Sequence, residues 1–361
     1  MNETGGEKID LNIEELENTD QSSKLVIDED DLLAVEPPPK VYPGLSDQPI
    51  NQQEQKPVSI AASSLLHLAL AGLVGGIMAW LLTEFSLVWD RSAYQETMEV
   101  LINISFFFSI IGGIIGAFLG SIEGLTSRVA VKIFKGIAVG LLVGFIGGAV
   151  GGFAGQYVYS ELGGGLQDDI MLQILIRGFG WALVGLFIGL GHGLGTGGGR
   201  KIINGLLGGL IGGTIGGLLF DVIASIMMGD AASRAVAIGI MGLFSGLGIG
   251  LVQEIRKDAW LKVIEGATAG KEYIIHSDKN RIGSSPKNDI VLVKDQGVSV
   301  YHAEINIKSK TYIIIDLQDT GGVWVNGRKI AQHRLKNGDM IYIGNYRLQY
   351  FEKAGDKGSV N

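Results

Sequence analysis

Six apolar runs constrain this chain more than any other feature. They lie near 60–82, 100–121, 137–158, 171–192, 203–227 and 235–253. Each is about 18–25 residues long, the length that carries a helix across the hydrocarbon core of a bilayer. One such run is compatible with a buried soluble helix. Six in succession predict an α-helical membrane bundle of six transmembrane helices over 58–258. Lipid offers the backbone no hydrogen-bond partners, so each run is read as a self-satisfied helix.

Composition matters here chiefly through glycine. Of 56 glycines, 42 fall within 58–258, set among Leu, Ile, Val, Phe and Ala. Glycine at i, i+4 and i+8 strips one helix face of side chains and lets two backbones approach. Gly140, Gly144, Gly148 and Gly152 form such a ladder, and Gly205, Gly209, Gly213 and Gly217 form another. Further ladders are Gly112–Gly116–Gly120–Gly124, Gly185–Gly189–Gly193 and Gly242–Gly246–Gly250. Tight packing within one subunit is the expected use. A pore or a homo-oligomer built on the same faces is the alternative.

The stretch from Gly140 to Gly152 aligns without gaps to Gly205 to Gly217, and Gly185 to Gly191 aligns to Gly242 to Gly248. This internal repeat predicts three tandem helical hairpins of common orientation. Basic residues fall on alternate connections: Arg128, Lys132 and Lys135; Arg200 and Lys201; Arg256 and Lys257. The other connections are acidic or mixed, around Glu84, Asp90, Glu161, Asp168 and Asp230. By the positive-inside rule both termini face the cytoplasm. Glu84, Glu123, Arg177, His192 and Asp221 are read as interfacial anchors, with Arg177 and Asp221 a candidate pair. Their spacing forms no relay.

Residues 1–57 carry fourteen Asp/Glu and four Lys/Arg, which more than accounts for the formal net charge of −8. This segment is too polar to offset its chain entropy and is expected to be a disordered acidic tail, as is 354–361. The first apolar run begins only near Ile60, so no secretory signal is expected. No basic patch indicates nucleic-acid binding. The chain has no cysteine, which excludes disulfides, thiolate metal sites and cysteine nucleophiles.

From Trp260 the texture changes to short alternating segments. Candidate strands are 260–264, 272–276, 279–283, 289–293, 302–308, 311–316, 323–325, 340–343 and 346–352, separated by turn signals such as Ser285-Pro286, Asn326-Gly327 and Asn337-Gly338. That spacing predicts an all-β sandwich over 259–353. Within it run Arg281-Ile-Gly-Ser-Ser-Pro-Lys-Asn-Asp-Ile-Val-Leu292, Val298-Ser-Val-Tyr-His-Ala-Glu304, Asp316-Leu-Gln-Asp-Thr-Gly-Gly-Val-Trp-Val-Asn-Gly327 and Leu335-Lys-Asn-Gly-Asp339. In order and spacing these resemble the motifs of the forkhead-associated (FHA) domain.

The resemblance implies a β-sandwich whose loops at one end bind phosphothreonine peptides. Ser299 matches the phosphate-contacting serine, His302 the histidine that braces the loop, and Thr320 the threonine before the family's asparagine. Gly283 matches the motif glycine, and Asn326 with Gly327 a hairpin turn. Two positions depart. Ser284 stands where the family has a phosphate-binding arginine, and Gly321 where it has a peptide-contacting asparagine. Arg281 is an odd number of residues from Ser284, so on a strand it points to the other face. Lys287 lies in the same loop and carries a charge. Losing one charge-assisted phosphate contact costs about 1.5–3 kcal/mol, so phospho-independent recognition on the same scaffold stays open beside phosphothreonine binding.

Two function classes follow. One is a membrane platform whose cytoplasmic FHA-like domain recruits a partner protein or (phospho)peptide. The other is a channel or transporter regulated by that domain. A polar helix face would favour the second, and the sequence shows none. No nucleophile–base pair, metal cluster or phosphate-cradling loop is found, so no catalytic residue, cofactor or metal is assigned.

Overall fold

The computed structural model describes residues 64–85, 97–163, 170–227, 231–308, 311–317 and 321–353. The expected tails at 1–57 and 354–361 lie outside the described residues, as do Thr320 and the side chain of Asp221.

Six long helices come first: α1 (Ser64–Glu84), α2 (Thr97–Ser127), α3 (Ala130–Gly163), α4 (Ile170–Thr196), α5 (Gly199–Ile226) and α6 (Ala231–Ile255). All six are long and apolar enough to cross a membrane. Several outrun the apolar segments. The stretches 122–136 and 193–202, read from sequence as loops, are almost entirely helical. What remains of the first is Arg128 and Val129, with Arg128 at φ 56° and the amide of Val129 donating to Gly124 O at 3.0 Å. That is a left-handed helix C-terminus on a residue other than glycine. The second is Gly197-Gly198, at φ 78° and 94°. Lys132, Arg200 and Lys201 therefore sit in first helical turns and Lys135 in the second turn of α3, because polar residues with good helix propensity extend a helix past its apolar stretch.

The even helices form the inner triangle: α2, α4 and α6 touch one another, and each odd helix packs between two even ones. The glycine ladders make three seams of like geometry, and α5 and α6 also meet backbone to backbone, with Gly208 against Gly248. A Cβ on Gly116 would strike the carbonyl oxygen of Gly140, and one on Gly140 would strike that of Gly116. Gly112 and Gly144 block each other in the same way, and so do Gly120 and Gly136. The α4–α5 seam repeats this with Gly189 against Gly205 and Gly185 against Gly209. Gly148 and Gly152 meet Phe108, and Gly213 and Gly217 meet the backbone of Gly185 and the Trp181 side chain. The third such seam joins α6 to α1, with Gly242 against Gly72 and Gly246 against Leu68. The chain thus closes on itself.

That last seam has no connecting turn. Its far end is clamped by Arg234, which donates from Nε to Glu84 Oε2 at 2.9 Å and from Nη2 to Glu84 Oε1 at 2.6 Å. Inside the ring, Ile111, Ile115, Leu119, Val184, Ile188, Met241 and Ile249 belong to one buried apolar cluster. Outside, Leu70, Val74, Leu142, Ile146 and Phe153 are exposed.

The chain then enters a two-sheet sandwich. The strands are β1 (Ala259–Glu265), β2 (Glu272–Ile274), β3 (Lys279–Gly283), β4 (Ile290–Val291), β5 (Ala303–Lys308), β6 (Thr311–Asp316), β7 (Val323–Val325), β8 (Arg328–Ile330), β9 (Gln332–Arg334), β10 (Met340–Ile343) and β11 (Tyr346–Glu352). One sheet runs β2-β1-β11-β10-β7-β8 and the other β4-β3-β5-β6-β9. Alternation puts Leu261, Val263, Leu348 and Tyr350 inward from the first sheet and Ala303, Ile305 and Ile314 from the second, all fully buried. The sequence reading missed β8 and β9. Arg-Lys-Ile and Gln-His-Arg show no apolar alternation, because both are edge strands on either side of the step between sheets.

Candidate functional site

The loops between β3 and β4 and between β4 and β5 meet at one end of the sandwich. Their close approach depends on Gly283: a Cβ there would strike Val300 O, with Ser299 O and Asn288 Nδ2 within 2.7 and 2.8 Å. The backbones are laced across this gap, since Ser284 N donates to Ser299 O at 2.8 Å and Ser285 N to Val300 O at 3.3 Å. Ser284 and Ser299, both half-buried, are thereby brought side by side. Lys287 is exposed at the tip of the first loop.

His302 is the brace beneath them. It is fully buried, takes the amide proton of Ser299 on Nδ1 at 3.2 Å, and faces Gly322 O from Nε2 at 3.2 Å. An amide needs an acceptor and a carbonyl needs a donor, so this environment specifies the neutral ring protonated on Nε2. One side chain thus ties the Ser299 loop to the turn holding Gly321 and Gly322.

Gly321 adopts φ 97° with nothing near its missing Cβ, and its carbonyl accepts from Trp324 Nε1 at 3.2 Å. This backbone is one that asparagine adopts only under strain. Asn326 and Gly327, at φ 50° and 80°, form the β7–β8 turn at the other end of β7 from Gly322. Asn326 is held there by Asp339 Oδ1 at 2.9 Å and by the amide of Met340 at 2.9 Å. Arg281 lies opposite Glu304 in the register, 4.0 Å away, and its guanidinium stands 5.8 Å from the Tyr301 ring. It is engaged on the strand face and adds nothing at Ser284. Val300, Tyr301 and Leu317 expose apolar surface beside the loops.

The short connection from the sixth helix to Trp260 leads one to expect a domain coupled to that helix, but the residues that make the junction carry no motif. Lys353, at the end of β11, donates to Glu254 O at 3.2 Å and Ile255 O at 2.8 Å, capping the C-terminal carbonyls of α6. Arg200 pairs with Asp258 at 3.6 Å, and Lys257 bridges Glu254 at 2.6 Å and Glu272 at 3.1 Å. At the inner triangle the key group is Glu123, with Lys201 and Lys271 each 3.9 Å from its carboxylate. Lys271 reaches in from the sandwich and also donates to Thr126 Oγ1 at 3.2 Å. His192 sets Nδ1 against Leu119 O and Nε2 against Gln253 Nε2, both at 3.0 Å.

Glu123, Thr126, His192, Lys201, Gln253 and Lys271 line a cavity of about 90 Å³ between bundle and sandwich. Burial brings the Lys271 ammonium down to about 8, partly offset by Glu123. Burial, reinforced by Lys201 and Arg200, lowers His276 on the sandwich side to about 4. A third cation, Lys132 in the first turn of α3, donates to Asn288 O at 2.9 Å. The legible signal for Asn288 was its place before Asp289-Ile290 in the first motif. Lys132 carried no signal beyond its charge.

The family model described as the FHA domain matches residues 280–344. The glycogen accumulation regulator GarA of Mycolicibacterium smegmatis is 30% identical over 131 residues, covering 36% of this chain and 75% of that relative. The oxoglutarate dehydrogenase inhibitor of Corynebacterium jeikeium is 34% identical over 92 residues, covering 26% of this chain and 63% of the relative. Among solved structures, the FHA domain of a Chlamydia trachomatis protein is 34% identical, covers 27% of this chain and 99% of its own, and superposes with a TM-score of 0.25.

Proposed function

The chain belongs to the FHA-domain family, and from that premise we propose that it is a membrane-embedded platform on which the FHA domain recruits a partner protein at the cytoplasmic face. The observation that carries this reading is the fixed junction. Lys353 caps α6, and Lys271 enters the inner triangle at Glu123. The domain is held as part of the platform, with the loops that carry Ser284 and Ser299 laced together by backbone hydrogen bonds.

The membrane assignment is supported by the exposed apolar surface of the ring, which would be a liability in water. The orientation is supported by charge. Lys132, Arg200, Lys201 and Lys257 gather at the sandwich end, where cytoplasmic loops carry an excess of Lys and Arg. The three seams of like geometry support a triplicated hairpin closed into a ring. Every glycine ladder is spent within the chain, so these faces are not where a second copy would bind. The apolar cluster between the even helices favours a platform over a channel.

The recognition site is a reduced one. Ser299, Ser284 and Lys287 offer hydroxyls and one ammonium, without the planar guanidinium that holds phosphate by two parallel bonds. The family's asparagine is replaced by Gly321, whose backbone conformation disfavours restoring it. The partner is therefore recognised with a smaller phosphate contribution, beside the apolar Val300, Tyr301 and Leu317. The test is binding of phosphothreonine peptides, and their unphosphorylated forms, to the full chain in lipid nanodiscs. Ser284→Arg should raise phosphopeptide affinity about tenfold or more while leaving unphosphorylated peptides unchanged. Native binding that is already tight and insensitive to Ser284→Arg would refute the reduced-site reading.

A further inference from the structure

Asn288 occupies an unusual position between the two halves of the molecule. It is almost completely buried, at 1% exposed. On one side its amide Nδ2 donates to Val300 O at 2.7 Å, in the loop that carries Ser299. Its backbone amide closes its own loop by donating to Ser285 O at 3.0 Å. On the other side its carbonyl accepts from Lys132 Nζ of α3 at 2.9 Å. A single residue thus holds both recognition loops and is itself held by the bundle.

We propose that the Lys132–Asn288 contact is the link through which the helical bundle sets the conformation of the recognition loops, with Asn288 the positioning residue for the ligand held at Ser284 and Ser299. This inference rests on reading those loops as the binding surface. Three observations give it force. The loop is short, running only from Ser284 to Asp289 and containing Pro286, so a pull on Asn288 is not absorbed by slack. A hydrogen bond from an ammonium is about twice as strong as a neutral one. Lys132 is the third residue of α3, so its backbone is held by the first turn of a long helix rather than by a loop. The carboxylates of Glu123 and Asp289 attract its ammonium, and Lys201 and Lys135 repel it.

The link runs in both directions. If the bundle favours one arrangement of the loops, a ligand that selects that arrangement strengthens docking of the sandwich by the same factor. The FHA domain is then read by the helices it sits on, as well as displayed by them.

Hydrogen exchange on the full chain in nanodiscs tests this without any ligand. The reporters are peptides covering 284–289 and 298–302, with β11 as the internal reference. Lys132→Met should speed exchange in both loop segments about tenfold and leave β11 unchanged, and Lys132→Arg should restore protection. Loop exchange at the wild-type rate in Lys132→Met overturns the proposal. Should Lys132→Met loosen the whole sandwich, Asn288→Ala decides. It keeps the carbonyl but removes the tie to Val300, so 298–302 must exchange faster, and protection of that segment at the wild-type level would refute the clamp. Because no ligand enters the measurement, failure of every peptide to bind would sink the recruiting function and leave the link standing, whereas unchanged exchange would sink the link alone.

Discussion

The bundle and the sandwich solve the packing problem in opposite ways. The sandwich buries side chains: alternate residues of β1, β5, β6 and β11 fill the space between two sheets, and Leu261, Ile305 and Leu348 are fully enclosed. The bundle removes side chains: its seams are backbone against backbone, carbonyl oxygens facing glycine α-carbons. In water, burying apolar side chains drives folding at roughly 25 cal/mol per Å². In lipid, tails are as apolar as leucine, so that drive is absent between helices and close contact must supply it. On the proposed membrane reading, the same chain carries two sets of substitution rules, divided near residue 258.

The largest contrast is between adding and removing a side chain. Gly116→Leu forces a side chain into the backbone of Gly140 and should abolish the folded bundle, a loss above about 4 kcal/mol. The check is monodisperse yield and thermal melting in detergent. The same type of enlargement at exposed Leu142 should have no effect, and equal tolerance at both positions would break the comparison.

In the sandwich, truncation is the damaging change. Ile305→Ala leaves a cavity and should cost about 2–5 kcal/mol. Loss of exchange protection confined to 259–353, with the helices unchanged, would show that the two regions fail separately.

The junction is sharpened by pH. His276 has a folded-state value near 4, below the 6.5 of the free side chain. The folded, docked state therefore favours the neutral ring, through burial first and through Lys201 and Arg200 of the bundle second. Stability from this group is complete above about pH 6.5 and is lost as pH falls toward 4, and the share due to Lys201 and Arg200 is lost from docking. Cross-linking of sandwich to bundle should weaken across pH 6.5 to 4 in the wild type and stay flatter in His276→Gln.

The smallest effect is expected at the seam that lacks a turn. Glu84→Gln leaves Arg234 without its carboxylate and should cost about 1–2 kcal/mol. The loss should show as faster exchange in α1 and α6, with α2 to α5 at wild-type rates.

Much of this was legible in the sequence, for physical reasons that differ by region. A ladder such as Gly140 to Gly152 announces a backbone contact, because nothing else explains glycine at every fourth position of an apolar helix. It does not say which helix lies opposite, since every ladder is chemically alike. The ring closure between α6 and α1 was invisible for that reason. In the sandwich, inward alternation marked nine strands, while β8 and β9 carry polar edge residues and read as loop. Ser284, Ser299 and His302 stand out by their motifs, and the structure places the segments that carry them side by side. Lys271 meets Glu123, and Lys132 meets Asn288, only through tertiary packing, and no spacing along the chain foretells that a lysine at 271 reaches a carboxylate at 123.

The central claim is that the FHA domain is docked on the cytoplasmic end of a membrane-spanning ring. Because the native chain has no cysteine, it can be tested with Thr126→Cys combined with Lys271→Cys and a bifunctional maleimide about one lysine side chain long. In sealed, right-side-out membrane vesicles a membrane-permeant reagent should join the two positions, while an impermeant one should do so only after the vesicles are opened. Cross-linking by the impermeant reagent in sealed vesicles, or none under either condition, would contradict the account.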